Sequence, residues 1–203
     1  SAGVHVRIFK PLRLYSIETG FQSEDVILIS VKTDRARLQG HALRGRILES
    51  LRSMPGVASA SFEMSPLSYK GWEASAIVQG YTYGPNEDDQ VHVSFISEDY
   101  FRTLRTPVLL GREFSEHDTA TSQKVIVVNE AFARRYFQGQ SPLGKWVGFK
   151  GETDRMEIVG MAKTSKYIFI AEPPTDFFYL PYRQNASRTM MLVARSSAGD
   201  PAS

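Results

Sequence analysis

The chain contains no cysteine. Disulfide scaffolds, thiolate zinc sites and a cysteine nucleophile are therefore excluded. The absence fits a reducing compartment, and equally an oxidising one where free thiols are a hazard, so it does not place the protein. Also missing is any run approaching the roughly 18–20 apolar residues of a membrane span, and no signal peptide is visible. As given, the chain is expected to behave as a soluble segment, including one belonging to a membrane protein. An excess of charge is lacking too. The net charge of +2 is too mild for nucleic acid, since phosphate binding concentrates basic residues on one face. Histidine is sparse: His5, His41, His92 and His117, no two of them at metal-ligand spacing. What is present is ordinary globular material. Across 203 residues, 42% hydrophobic and 23% charged content suffices for one substantial core or two small ones.

The pattern alternates between strands and helices. Val26–Val31 is a near-continuous, β-branched apolar run and reads as a strand buried on both faces. From Arg35 to Met54, the residues Ala36, Leu43, Ile47, Leu51 and Met54 share one helical stripe. Pro55-Gly56 ends that helix, and Val57–Phe62 follows as a strand, completing a βαβ unit. Residues 63–73 read as loop, and Ser75–Tyr81 and Gln90–Ile96 as strands joined by a polar connection at 84–89. Val91, Val93 and Phe95 alternate with His92 and Ser94, which predicts one wetter face. Ser97 is placed to cap a short helix ending before Pro107, with Glu98 and Asp99 in its first turn. Val125–Val128 is a strand, and Asn129 caps a helix through Phe137 that Gly139 stops. Met156–Met161, Phe177–Leu180 and Met190–Ala194 are further strands.

No constellation rises to a catalytic centre. Glu116-His117-Asp118 is the densest metal-like cluster, but it lies in a Ser/Thr/Asp-rich loop where such side chains are usually solvated. It supplies the only local candidates for a small metal-dependent hydrolase. No serine sits in a Gly-x-Ser-x-Gly elbow. The carboxylate pairs Glu98-Asp99 and Asp88-Asp89 are adjacent in sequence, so their side chains diverge; capping and solubility account for them. Gly139 to Lys145 matches the glycine and lysine spacing of a phosphate-binding P-loop. Yet Trp146 stands where magnesium needs a hydroxyl, a helix precedes the motif, and Trp146–Phe149 reads as a strand, so no helix N-terminus faces a phosphate. Arg35, Arg37, Arg44, Arg46 and Arg52 flank the first helix's apolar stripe on both sides, as solvated edges. Arg134-Arg135 reads as an exposed helix face. No catalytic, cofactor-binding or metal-binding residue is assigned, and no cofactor is expected.

Several stretches, in order, resemble the extracytoplasmic domain of MacB/FtsX-like ABC-transporter permeases. They are Ser53–Val57, Val93–Leu104, Leu110–Phe114, Val127–Phe137, Ser141–Lys145, Glu157–Gly160 and Tyr179–Tyr182. Each is weak alone; their order and spacing carry the resemblance across roughly residues 21–200. The sequence departs from the pattern at Leu104–Pro107, which lacks a glycine, and at Gln138, where proline is common.

The resemblance implies an α+β fold: a mixed α/β domain in two lobes. A porter-like βαβ lobe would use residues 1–96 and 186–203, and a small inserted α/β (Sabre-like) lobe residues 97–185. The family continues beyond the position of Ser203 into another helix and strand, so the porter-like lobe is expected to be incomplete at its C-terminus. The implied function is that of a non-catalytic, periplasm-facing domain coupling ATP-driven conformational change to a periplasmic partner or substrate. Implied partners are transmembrane helices of the same polypeptide, a separate ATP-binding subunit or domain, and a periplasmic adaptor protein. Nucleic acid is not among them, and dimerisation in isolation is expected to be weak or absent. The implied location is the periplasmic side of a bacterial inner membrane. The alternative is a stand-alone periplasmic binding or adaptor protein.

Overall fold

A computed structural model of the chain describes residues 5–9, 26–32, 41–63, 72–165, 174–185 and 191–197. The strands are β1 (His5–Phe9), β2 (Val26–Lys32), β3 (Val57–Glu63), β4 (Trp72–Val78), β5 (Gln90–Ile96), β6 (Val108–Gly111), β7 (Val125–Asn129), β8 (Trp146–Phe149), β9 (Met156–Ala162), β10 (Phe177–Pro181) and β11 (Met191–Ser196). The helices are α1 (His41–Arg52), α2 (Tyr100–Leu104) and α3 (Glu130–Phe137), with a 3-10 turn at Tyr182–Gln184. The architecture is mixed α/β and dominated by sheet.

All eleven strands belong to one hydrogen-bonded sheet with two differently built parts. One part is an open antiparallel wing in the order β1-β2-β11-β3. Here β2 and β3 run parallel to each other with β11 between them, antiparallel to both. The expected βαβ unit is therefore a split one, with a late strand filling its gap. The other part is a ring: β5-β10-β7-β9-β8-β4, closed by the β4–β5 ladder. β6 lies outside the ring, on the edge of β9 that β8 also uses.

Burial follows this division. All six ring strands send side chains into one apolar cluster, among them Val78, Val93, Val128, Val147, Ile158 and Phe178. Phe132, Tyr136 and Phe137 of α3 pack into the same cluster. Phe132 meets Phe178 edge-on at 4.8 Å and Tyr136 at 4.5 Å. The opposite faces of β7 and β10 turn Val127 and Tyr179 toward α2, whose Tyr100, Phe101 and Leu104 also cover Val193 of the wing. α1 covers the wing's other face, where Leu48 packs with Ala60, Phe62, Leu192 and Ala194. Alternation along β11 explains this: Leu192 and Ala194 face α1, while Val193 faces α2.

Several local expectations change. The first helix is described from His41, and Arg35, Ala36 and Arg37 lie outside the described residues. Ile47 and Leu51 do pack inward, but Leu48 is the buried residue and Met54 is 51% exposed. The turn after Arg52 swings Met54 out of the stripe. Ser94 is buried and Phe95 only partly so, because β5 is packed on both faces. Ser97 does not cap α2. Its Oγ accepts from the Phe62 N–H at 2.8 Å, and its own N–H donates to the Phe62 carbonyl, extending the β3–β5 ladder. Asp99 takes the N-cap position in a left-handed conformation without a side-chain cap. β6 was not anticipated.

Candidate functional site

Among the described residues, a network of polar side chains lies where β5, α3 and the approach to β10 converge. Asn129 organises it. It ends β7, and its Oδ1 accepts from the Phe132 N–H at 3.0 Å, so it caps α3 as the sequence predicts. The same oxygen accepts from the Phe177 N–H at 3.1 Å, and its Nδ2 donates to the Thr175 carbonyl at 2.7 Å. One buried side chain thus fixes the start of α3 and the segment leading into β10.

This placement brings Arg135 against Asp176 at 2.8 Å and Glu87 at 3.2 Å. Arg135 is half-buried rather than lying on an exposed face, and its guanidinium also covers the Tyr136 ring at 4.8 Å. Burial works against the Arg135 charge, but Asp176 and Glu87 outweigh it and hold its pKa above the ordinary value. Burial pushes the Asp176 carboxyl up, with Arg135 pulling the other way. The Gly84 N–H, the Tyr81 hydroxyl and Arg135 hold Glu87 below the usual range. Arg134 points outward and pairs with Glu130 at 3.0 Å. Beside this network His92 lies 3.4 Å from Glu73 and stacks on Phe177. Of these groups Arg134, Arg135, Asp176, His92 and Glu73 line a cleft of about 510 Å³. Its strongest polar groups are engaged with one another. Arg134, Glu73 and Asp88 are exposed at its rim, and among the described residues that line it no nucleophile is paired with a base.

The local candidates from the sequence do not meet here. Glu116 and His117 are exposed, whereas Asp118 is buried and not solvated. Its carboxylate takes Arg112 in a two-point contact at 2.8 and 2.9 Å and also accepts from the Ser115 N–H. Burial opposes the Asp118 charge, yet Arg112 and Ser115 keep its pKa below the ordinary value. Among the described residues no group of His, Asp and Glu is arranged to hold a metal. The P-loop-like stretch is a helix stop followed by β8, as its residues suggest: Gln138 and Gly139 are left-handed, and the Lys145 carbonyl accepts from the Ile158 N–H. Glu98 and Asp99 diverge, Glu98 to Arg183 and Asp99 to Arg52.

Sequence reasoning missed the partners of Arg135. Glu87 and Asp176 lie 48 and 41 positions away, so no local spacing announces them.

A family model for the MacB-like periplasmic core domain matches residues 14–202. The chain belongs to that family. MacB-like periplasmic core domains are extracytoplasmic parts of ABC-transporter permeases, which carry transmembrane segments and work with ATPase partners; as a group they are transport domains and generally non-catalytic. The solved structures agree at the level of fold. The periplasmic region of MacB from Actinobacillus actinomycetemcomitans superposes with a TM-score of 0.60 at 18% identity, covering 93% of this chain and 81% of that one. The extracellular domain of the noncanonic ABC-type transporter YknZ from Gram-positive bacteria gives 0.52 at 17% identity, covering 76% and 73%. No curated protein sequence matches significantly. As a MacB-like domain, the chain lies on the periplasmic or extracytoplasmic side of the membrane. No helix among the described residues is long and apolar enough to cross it.

Proposed function

We propose that this MacB-like domain is a non-catalytic coupling element that passes ATP-driven movement of its permease to a periplasmic partner or substrate. The observation that supports this reading is the way wing and ring are joined. β5 is a ring strand, yet its end also pairs with the wing through Glu63 and Ile96, and Ser97 extends that contact. Beside it, Arg52 of α1 reaches Asp99 at 2.9 Å, and Arg183, just after β10, reaches Glu98. A push on the wing therefore meets the ring through this short ladder and these ion pairs, backed by the buried α2 cluster that joins Val193 to Val127 and Tyr179.

In this reading residues 1–96 with 186–203 form the porter-like lobe and 97–185 the inserted lobe, although β4 and β5 of the first hydrogen-bond to β8 and β10 of the second. The hinge lies at Ile96–Ser97 and Pro181–Arg183. Assembly is driven by transmembrane helices and the ATPase, so the isolated chain associates weakly or not at all.

The test is hydrogen exchange on the intact permease with its ATPase, nucleotide-free against ATP-trapped. Exchange at residues 96–99 and 181–185 is expected to differ between the two states. Identical exchange throughout the domain would overturn the proposal.

A further inference from the structure

A left-handed backbone strains an L residue, and it is ordinary in two places: tight turns and the residue that ends a helix. Four described non-glycine residues have positive φ. Asn86 lies in a turn, and Arg105 and Gln138 end α2 and α3. Asp99 differs. Its turn leads straight into α2, so it stands at the N-cap, where the backbone is ordinarily extended. It has φ 64 and ψ 8, and its side chain caps nothing in α2. Asn129 shows the ordinary arrangement in the same chain: φ −91, ψ 167, with its side chain accepting from the Phe132 N–H three residues on. The corresponding donor in α2 is the Arg102 N–H.

The Asp99 carboxylate is instead held from the wing. Arg52, the last residue of α1, meets it at 2.9 Å. Arg52 is itself fixed on the wing, its Nε donating to the Ala60 carbonyl of β3 at 3.2 Å, and its Nη2 also reaches the Glu98 carbonyl at 3.4 Å. Arg102 meets the other oxygen of Asp99 at 3.3 Å, but it belongs to α2 and travels with it. The Glu98 carboxylate turns away to Arg183, and Glu113 is a like charge that repels Asp99 rather than holding it. The Arg52 and Asp99 side chains are 33% and 30% exposed, so parting them leaves both ions in reach of water and strands no buried charge. α2 packs against Val127 and Tyr179 of the ring and against Val193 of the wing. The angle at which the chain enters α2, which the Asp99 backbone sets, therefore bears on both.

We propose that Asp99 is a two-position latch at the wing–ring junction. With Arg52 in place, Asp99 is held left-handed and leaves α2 without a side-chain cap. When the wing carries Arg52 away, Asp99 turns extended and its carboxylate accepts from the Arg102 N–H, as Asn129 does from Phe132. Each position gives the carboxylate a different partner, so the residue has two discrete arrangements, and displacement of the wing selects between them. This deepens the coupling role proposed above and rests on it for its biological meaning.

The test is nuclear magnetic resonance on the 203-residue chain. A left-handed residue brings its own amide and α protons close and gives a strong intraresidue Overhauser effect; an extended one gives a weak effect. The parent is expected to show the strong effect at Asp99. Arg52→Gln is expected to weaken it and to slow exchange of the Arg102 amide about fivefold, the ratio that a cap of ordinary strength gives. Unchanged exchange in β7 and β10 shows the fold retained. Asp99→Asn removes the charge that Arg52 holds but keeps the ability to cap, so it is expected to act in the same way, and it serves if Arg52→Gln does not fold. Asp99→Gly combined with Arg52→Gln has no cap to offer and is expected to leave the Arg102 amide fast. A pair that only stabilised the fold would speed exchange there when broken. An Arg102 amide unchanged or faster in Arg52→Gln and Asp99→Asn therefore overturns the proposal, and so does an extended Asp99 in the parent. The latch is read at residues 99 and 102 of this chain, and the coupling role by nucleotide-dependent exchange in the intact permease, so either proposal can fail while the other stands.

Discussion

Gly111 and Gly160 face each other across the β6–β9 ladder with no room for a side chain on either. A Cβ on Gly111 would stand 2.2 Å from the Val159 carbonyl oxygen, and one on Gly160 would stand 2.2 Å from that of Arg112. Both obstacles are backbone and cannot rotate away. Gly160→Ala is expected to cost about 1–3 kcal/mol, as overpacking does. Gly111→Ala should cost more than Gly80→Ala. The two glycines have similar left-handed backbones, φ +72 and +74, but nothing lies within 4 Å of a Cβ at Gly80. Urea denaturation of the three variants measures this; equal losses at Gly111 and Gly80 would remove the close approach as a cause.

Asn129 serves a helix cap and the β10 entry with one side chain. Asn129→Ala is expected to lose about 2–4 kcal/mol, roughly 1 from the cap and the rest from buried groups left without partners. Asn129→Asp keeps the two accepted bonds to Phe132 and Phe177 and loses the donated one to Thr175, so it should fall between. Equilibrium unfolding orders the three proteins.

The Asp118 carboxyl is held below its ordinary pKa against the opposition of burial, by Arg112 and the Ser115 N–H. A depressed carboxylate contributes stability that is present above its unfolded pKa, near 4, and lost as pH falls through the folded value. Asp118→Asn should therefore be less stable than the parent at pH 7 and show a smaller loss between pH 5 and pH 2. Parallel acid-denaturation slopes in the two proteins would remove Asp118 as a contributor.

In α1, Leu48 is 2% exposed and Met54 beyond its end is 51% exposed. Leu48→Ala is expected to cost about 2–5 kcal/mol, whereas Met54→Ala should stay within about 0.5 kcal/mol. Thermal melts distinguish the two, and a large effect at Met54 would return it to the buried stripe.

What the sequence disclosed was local. The Asn129 cap lies three residues from its partner, the strand β5 runs from Gln90 to Ile96 as its apolar pattern indicates, and the P-loop-like stretch dissolves into a helix stop and a strand because Trp146 and its neighbours say so. What stayed hidden was set by distant chain. Ser97 looks like a cap until Phe62, 35 positions earlier, takes its hydroxyl. Asp118 looks solvated until Arg112 folds over it. β6 has only four residues between a proline and a left-handed glycine, too short for a period, and exists because β9 is there to pair with it. The family resemblance was legible because it rests on the order of many short matches, which survives such local errors.

The strand order has a consequence for how the chain is made. β10 lies between β5 and β7, and β11 between β2 and β3. The ring cannot close, nor the wing complete itself, until residues near 181 and 196 have left the ribosome and arrived on the far side of the membrane. Before that, four apolar strand edges wait without neighbours. High contact order slows such a search, and open edges are where chains pair wrongly. The domain's vulnerable period is therefore its export, and a permease truncated before β10 should be recovered as aggregate or degraded chain rather than as a smaller folded core.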